Sequence, residues 1–206
     1  VGNSLDADFS TLTGRGNLIS GNTSYGINVS NAVGLGSSIV GNYIGTDVTG
    51  TAAIGNDKGL VSSATELQIG GLRNDTSGRL SGFGNLISGN DDRGIWLLNA
   101  SGNEVQGNFI GTDVTGQSAL VNGLIGVAIG GGAGNVIGTD GDAQNDTLEG
   151  NLISGNASDG VKLYEGVDGV VAGNRIGTNF DGTVALPNAS HGVFVQGGSG
   201  HQIGTD

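Results

Sequence analysis

Apolar residues in this chain recur in two short templates, and neither has the three- and four-residue spacing of a helix. One is a hexad with isoleucine at its third position. It appears as Asn17-Leu18-Ile19-Ser20-Gly21-Asn22, again at 85–90 and 151–156, and in related form as GNYIGTD at 41–47, GNFIGTD at 107–113 and GNRIGTN at 173–179. A further group reads LQIGGL at 67–72, NVIGTD at 135–140 and HQIGTD at 201–206. The second template is Gly-apolar-x-apolar, as in Gly26-Ile27-Asn28-Val29, Gly94-Ile95-Trp96-Leu97, Gly126-Val127-Ala128-Ile129, Gly160-Val161-Lys162-Leu163 and Gly192-Val193-Phe194-Val195. Its alternation predicts a strand with one buried face. Ile27, Val29, Ile95 and Leu97 point in, while Asn28, Trp96, Lys162 and Phe194 point out. Stretches such as Asp47-Val48-Thr49-Gly50 carry turn chemistry.

Aligned, the hexads number nine, and the motifs recur at a spacing of 66 residues. Their third position is always isoleucine: Ile19, Ile44, Ile69, Ile87, Ile110, Ile137, Ile153, Ile176 and Ile203. Their first position is asparagine in seven: Asn17, Asn42, Asn85, Asn108, Asn135, Asn151 and Asn174. A column of β-branched residues suits stacked parallel strands about 4.8 Å apart. A column of asparagines suits a ladder of side-chain amides bonding the coils above and below. The fold expected is an all-β, right-handed parallel β-helix, the hand that parallel crossovers favour. One coil per hexad makes nine coils, roughly 43 Å tall. Because the steps of 16 and 18 residues between some hexads are short for a coil, two full coils plus a bulging loop per unit is the alternative. A single solenoid domain over 1–206 is expected, in units of about 17–84, 85–150 and 151–206. Residues 1–16 complete the last unit in phase, since joining Asp206 to Val1 reproduces the internal join at 137–156.

The combination GNLISGN…GI-x-V…GN-x-IGTD-x-TG…GV-x-I…N-x-IGT resembles the repeats of bacterial right-handed parallel β-helix repeat proteins, over essentially the whole chain. The resemblance implies a large secreted or surface-attached bacterial protein of many repeats. The same fold also hosts pectate lyases, polygalacturonases and alginate epimerases, so it does not by itself give a function.

Composition narrows the picture. Glycine accounts for 44 residues and proline for one, without the period of collagen. Charged residues are only 13% and aromatics 4%, so the core is narrow and aliphatic. The net charge of −12 argues against nucleic acid and anionic membrane as partners. No apolar run reaches the ~18 residues of a membrane span. Cysteine is absent, so there is no disulfide or thiolate site. The chain has no methionine and starts at Val1, as expected of a processed product or a piece of something longer.

Candidate chemistry is sparse. Asp91-Asp92 is the one adjacent carboxylate pair that could serve glycoside hydrolysis, but the motifs that accompany it in polygalacturonases are missing. Asp140, Asp142 and Asp146 lie in one loop at a spacing that can present hard oxygen ligands to Ca²⁺, and no other cofactor is expected. His201 takes an asparagine position in its hexad, and His191 sits in a turn. Trp96, Phe194, Tyr43 and Phe109 are outward rings, either stacking on sugar or covered by a turn. Thr46, Thr112, Thr139, Thr178 and Thr205 share a hexad column that, if flat and exposed, can bind ice. An enzyme should break the repeat at one place. Uniform repetition and matching ends point instead to a structural or adhesive module that joins its own copies or a longer array. A polysaccharide-binding or polysaccharide-cleaving β-helix is the alternative.

Overall fold

A computed structural model describes residues 16–30, 36–73, 80 and 82–204. The residues that carry the match between the two ends, 1–15 and 205–206, lie outside it, as does Thr205. The described chain is a right-handed parallel β-solenoid of three sheets, each with six strands. The first sheet holds Leu18–Ile19, Tyr43–Ile44, Leu86–Ile87, Phe109–Ile110, Leu152–Ile153 and Arg175–Ile176. The second holds Tyr25–Val29, Lys58–Ser62, Ile95–Leu98, Val127–Ala133, Val161–Val167 and Val193–Val195. The third holds Ser38–Ile39, Gln68–Gly70, Glu104–Gln106, Val136–Gly138, Val170–Ala172 and Gln202–Ile203. The chain visits the sheets in that order and returns, so one strand from each makes a rung. Six rungs give about five turns from first strand to last, a stack of roughly 24 Å at the usual strand spacing.

The expectation of nine coils is corrected here. Ile19, Ile44, Ile87, Ile110, Ile153 and Ile176 stack in register in the first sheet. Ile69, Ile137 and Ile203 belong to the third, where they alternate with Ile39, Val105 and Val171. The single isoleucine column is therefore two columns on two sides of the same coil. The hexad marks a corner followed by a strand, and that local geometry recurs at more than one corner. Successive rungs in the first sheet lie 25, 43, 23, 43 and 23 residues apart, so one 66-residue unit is two rungs, one with a long loop and one without.

Inward positions from all three sheets form one aliphatic core running the length of the stack. Ile44, Ile87, Ile95, Leu97, Ile110, Ile137 and Ile153 are fully buried or nearly so. The glycine that opens the second template is fixed by crowding between rungs. A Cβ at Gly126 would meet the carbonyl oxygen of Gly160 at 2.7 Å and Asn156 Nδ2 at 2.9 Å.

A second apolar cluster lies outside the first sheet. Tyr43, Leu86, Phe109 and Leu152 point outward in one register column. Excursions that leave the solenoid after the second, fourth and sixth strands fold over them. Each excursion closes on itself through one antiparallel bridge, Thr46 to Ala53, Thr112 to Ala119 and Thr178 to Ala185. Val114 and Phe180, carried on two of these, bury against the column, and Phe109 and Phe180 meet at 5.5 Å. Tyr43 and Phe109 are thus covered by turns. Thr46, Thr112 and Thr139 are buried, which removes the flat exposed threonine array from consideration.

Candidate functional site

The most regular polar feature is at the corners. Ahead of the first sheet, Asn17, Asn42, Asn85, Asn108, Asn151 and Asn174 form one continuous ladder, each Nδ2 donating to the Oδ1 of the next rung over 2.8–3.1 Å. The main-chain N–H of each donates to the same oxygen. The remaining Nδ2 hydrogen turns into the corner, as from Asn108 to the carbonyls of Ile69 and Gln106. These groups are buried inside the column, so each bond replaces one that water cannot supply.

A second ladder runs ahead of the second sheet: Asn22, Asn56, Asn90, Asn122, Asn156 and Asn188, again Nδ2 to Oδ1. Sequence reasoning missed it. The signal was present, since Asn22, Asn90, Asn122, Asn156 and Asn188 each stand four residues before a template glycine, and Asn56 three before Gly59. Asn135 is corrected: it lies at the third corner, where its Oδ1 accepts from Asn103, and not in the Asn17 series. His201 stands at the same corner, and its Nδ1 accepts the Gly169 N–H at 3.1 Å, as an asparagine oxygen would.

The outer face of the second sheet gathers most of the remaining chemistry. Asp92 receives Lys58 at 3.0 Å and Arg93 at 2.8 Å, and Lys58 also holds Asp57 at 2.7 Å. Asp92 is therefore neutralised by two cations, and Asp91 beside it is exposed. Two rungs on, buried Asp159 accepts from His191 Nδ1 at 2.7 Å and faces Lys162 at 4.0 Å. Ser190 Oγ is 2.8 Å from the same His191 nitrogen. Because both partners fall on Nδ1, these three do not form a relay, which needs acid and nucleophile on opposite ring nitrogens. The half-buried rings here are covered by the chain's own cations: Arg93 over Trp96 at 4.8 Å, and Lys162 over Tyr164 at 4.4 Å and Phe194 at 4.7 Å. Such contacts stabilise the face and occupy the ring surfaces a sugar would stack upon.

The acidic loop closes the fourth rung. Asp140, Asp142 and Asp146 bring one carboxylate oxygen each to within 4.8 Å of one another. Asp140 Oδ1 accepts from the Asp142 amide at 3.0 Å, and Asp142 Oδ1 from the Gln144 amide at 2.7 Å. The arrangement is an exposed cluster of hard oxygen donors of the kind that suits a divalent cation.

No protein-family model, curated protein or solved structure matches this chain. Among the described residues no helix is long and apolar enough to cross a membrane.

Proposed function

We propose that this chain is a structural segment of an extracellular β-solenoid array, whose end rungs continue head to tail into further rungs of the same repeat. The polarity of the ladders carries the reading. Every asparagine donates toward the later rung and accepts from the earlier one. Among the described residues, Asn17 and Asn22 thus present unused Oδ1 acceptors at one end. Asn174 and Asn188 present unused main-chain N–H donors at the other. A following rung supplies the match in one orientation only. The apolar columns end the same way: Leu18 is 45% exposed and Ile203 54%, where inner members of their columns are fully buried. In the same reading, calcium at the acidic loop braces the array, and the outer loops are the surface it presents to partners.

The test compares single copies with a tandem protein in which Asp206 is joined to Val1 of a second copy. Light scattering should show concentration-dependent association of the single copy, abolished by Ile203→Lys. The tandem protein should melt higher, in one transition. A strictly monomeric single copy, together with a tandem protein that melts no higher, would overturn the proposal.

A further inference from the structure

The acidic loop has a fourth member that its sequence spacing did not single out. The one-turn helix Asp146–Glu149 places Asp146 and Glu149 three residues apart, on one face. Glu149 is only 6% exposed, and its Oε2 is buried without a hydrogen-bond partner. Asp146 Oδ1 is in the same condition. Burial raises the Glu149 carboxyl above the ordinary carboxylate range. The Thr139 hydroxyl and the Asp140 amide offset this in part, and the charges of Asp140 and Asp146 add to it. Three carboxylates therefore crowd together, two of them with a lone oxygen that nothing among the described residues satisfies. Buried polar groups in that condition point to a missing partner, and a cluster of anions selects a cation.

The helix is held firmly. Arg73 Nη2 donates to the Thr147 carbonyl at 2.9 Å, and the amides of Arg73 and Gly107 donate to the Leu148 and Glu149 carbonyls at 3.2 and 2.6 Å. Arg175 lines the cavity of about 360 Å³ beside Asp146, yet it lies over the Phe180 ring and forms no ion pair with these acids. That cavity, also lined by Thr139 and Thr147, leaves Asp146 an open approach from solvent.

We propose that Asp140, Asp142, Asp146 and Glu149 form a calcium site that pins the long loop of the fourth rung onto the turns of the second and third. Oxygens on one Ca²⁺, each about 2.3–2.6 Å from it, lie at most ~5 Å apart, a spacing that Asp140, Asp142 and Asp146 meet with one oxygen each within 4.8 Å of the others, while Glu149 joins them by turning its unpaired Oε2 toward the ion. Glu149 is the buried ligand, Asp146 bridges it to the surface, and Asp140 and Asp142 close the outer side.

Titration calorimetry with Ca²⁺ on the chelator-treated full chain tests this, alongside thermal melts in chelator and in Ca²⁺. One ion per chain should bind, with a dissociation constant on the order of 10⁻⁵–10⁻³ M, and the melting temperature should rise with Ca²⁺ and return on chelation. Glu149→Gln and Asp146→Asn should each weaken binding at least tenfold while melting normally in chelator. Asp91→Asn, an exposed acid ahead of the second sheet, should bind as the parent does. No heat and no shift in melting temperature with millimolar Ca²⁺ would overturn the site. Unchanged affinity in both Glu149→Gln and Asp146→Asn would also overturn it, by showing that any bound ion sits elsewhere.

Discussion

The first two corners of the solenoid carry six asparagines each without a break, and the third does not. At the third corner the positions ahead of the strands are Ser37, Leu67, Asn103, Asn135, Gly169 and His201. Only Asn103 and Asn135 join amide to amide there. The approach to the corner differs from rung to rung. Strands of the second sheet end at Ser62 and Leu98 in two rungs but run on to Ala133 and Val167 in the next two, with register shifts around Gly130. At the second corner the excursions are longer still, yet each closes through its own bridge and returns the chain to the same place before Asn56, Asn122 and Asn188. A side-chain ladder therefore measures how closely successive rungs superpose. Loop length is harmless where the loop shuts on itself, and a shift within the strand is not.

The largest effect is expected from breaking a complete ladder at its centre. Asn108 is fully buried, accepts from the amide and Nδ2 of Asn85, and donates to Ile69, Gln106 and Asn151. Asn108→Ala strands several of these groups at once and should cost roughly 3–5 kcal/mol. Urea unfolding measures this directly. A loss below about 1 kcal/mol would mean that water or a local shift satisfies the corner.

At the third corner the same truncation should matter less. Asn103 is equally buried, but it accepts only the Leu67 amide and its own N–H groups both converge on Asn135. Asn103→Ala should cost about 1–3 kcal/mol in the same unfolding assay. An equal or greater loss than at Asn108 would remove the distinction between corners.

His201 sharpens the contrast further. Its Nδ1 accepts the Gly169 N–H and its Nε2 donates to the Gly197 carbonyl at 3.2 Å, so the role needs one acceptor and one donor, which an amide also carries. His201→Asn should stay within about 0.5 kcal/mol of the parent, whereas His201→Leu should lose about 1 kcal/mol by stranding that amide. Equal losses from the two would show that ring packing, and not the acceptor, holds this position.

These differences explain what the residues disclosed in advance. Strand and corner positions were legible because isoleucine and asparagine recur at fixed places. The number of sides was not, because Ile69 and Ile137 sit in the same local pattern as Ile44 and Ile87, and a local pattern does not say which side of a coil it faces. The second ladder was readable in the interval from Asn22 to Gly26 and its copies, but the strand template drew attention to the glycine instead. Tyr43 and Phe109 were legible as outward residues. Glu149 was not legible as a neighbour of Asp140, since its place depends on one helical turn being held down by Arg73, distant in sequence.

The smallest effect concerns the excursions that lead into the second ladder. Asp47 caps the first of them. Burial alone would raise its carboxyl, but the Thr49 hydroxyl and the amides of Ala52, Thr51 and Gly50 hold it below the ordinary 3.8. Asn179 performs the same capping two units along without a charge, its Oδ1 accepting from the amides of Thr183 and Val184 at 3.0 and 3.1 Å. Asp47→Asn should therefore change stability at neutral pH by no more than about 0.5 kcal/mol. A depressed folded-state pKa means that the carboxylate's contribution is fully present above the unfolded value of 3.8 and is lost as pH falls through the folded value. Replacing the acid with an amide removes that loss, so the melting temperature of Asp47→Asn should fall less steeply than the parent's below 3.8. Parallel acid limbs in the two proteins would show that the cap is geometric, with no electrostatic share, and that closing the bridge from Thr46 to Ala53 suffices to bring Asn56 into line.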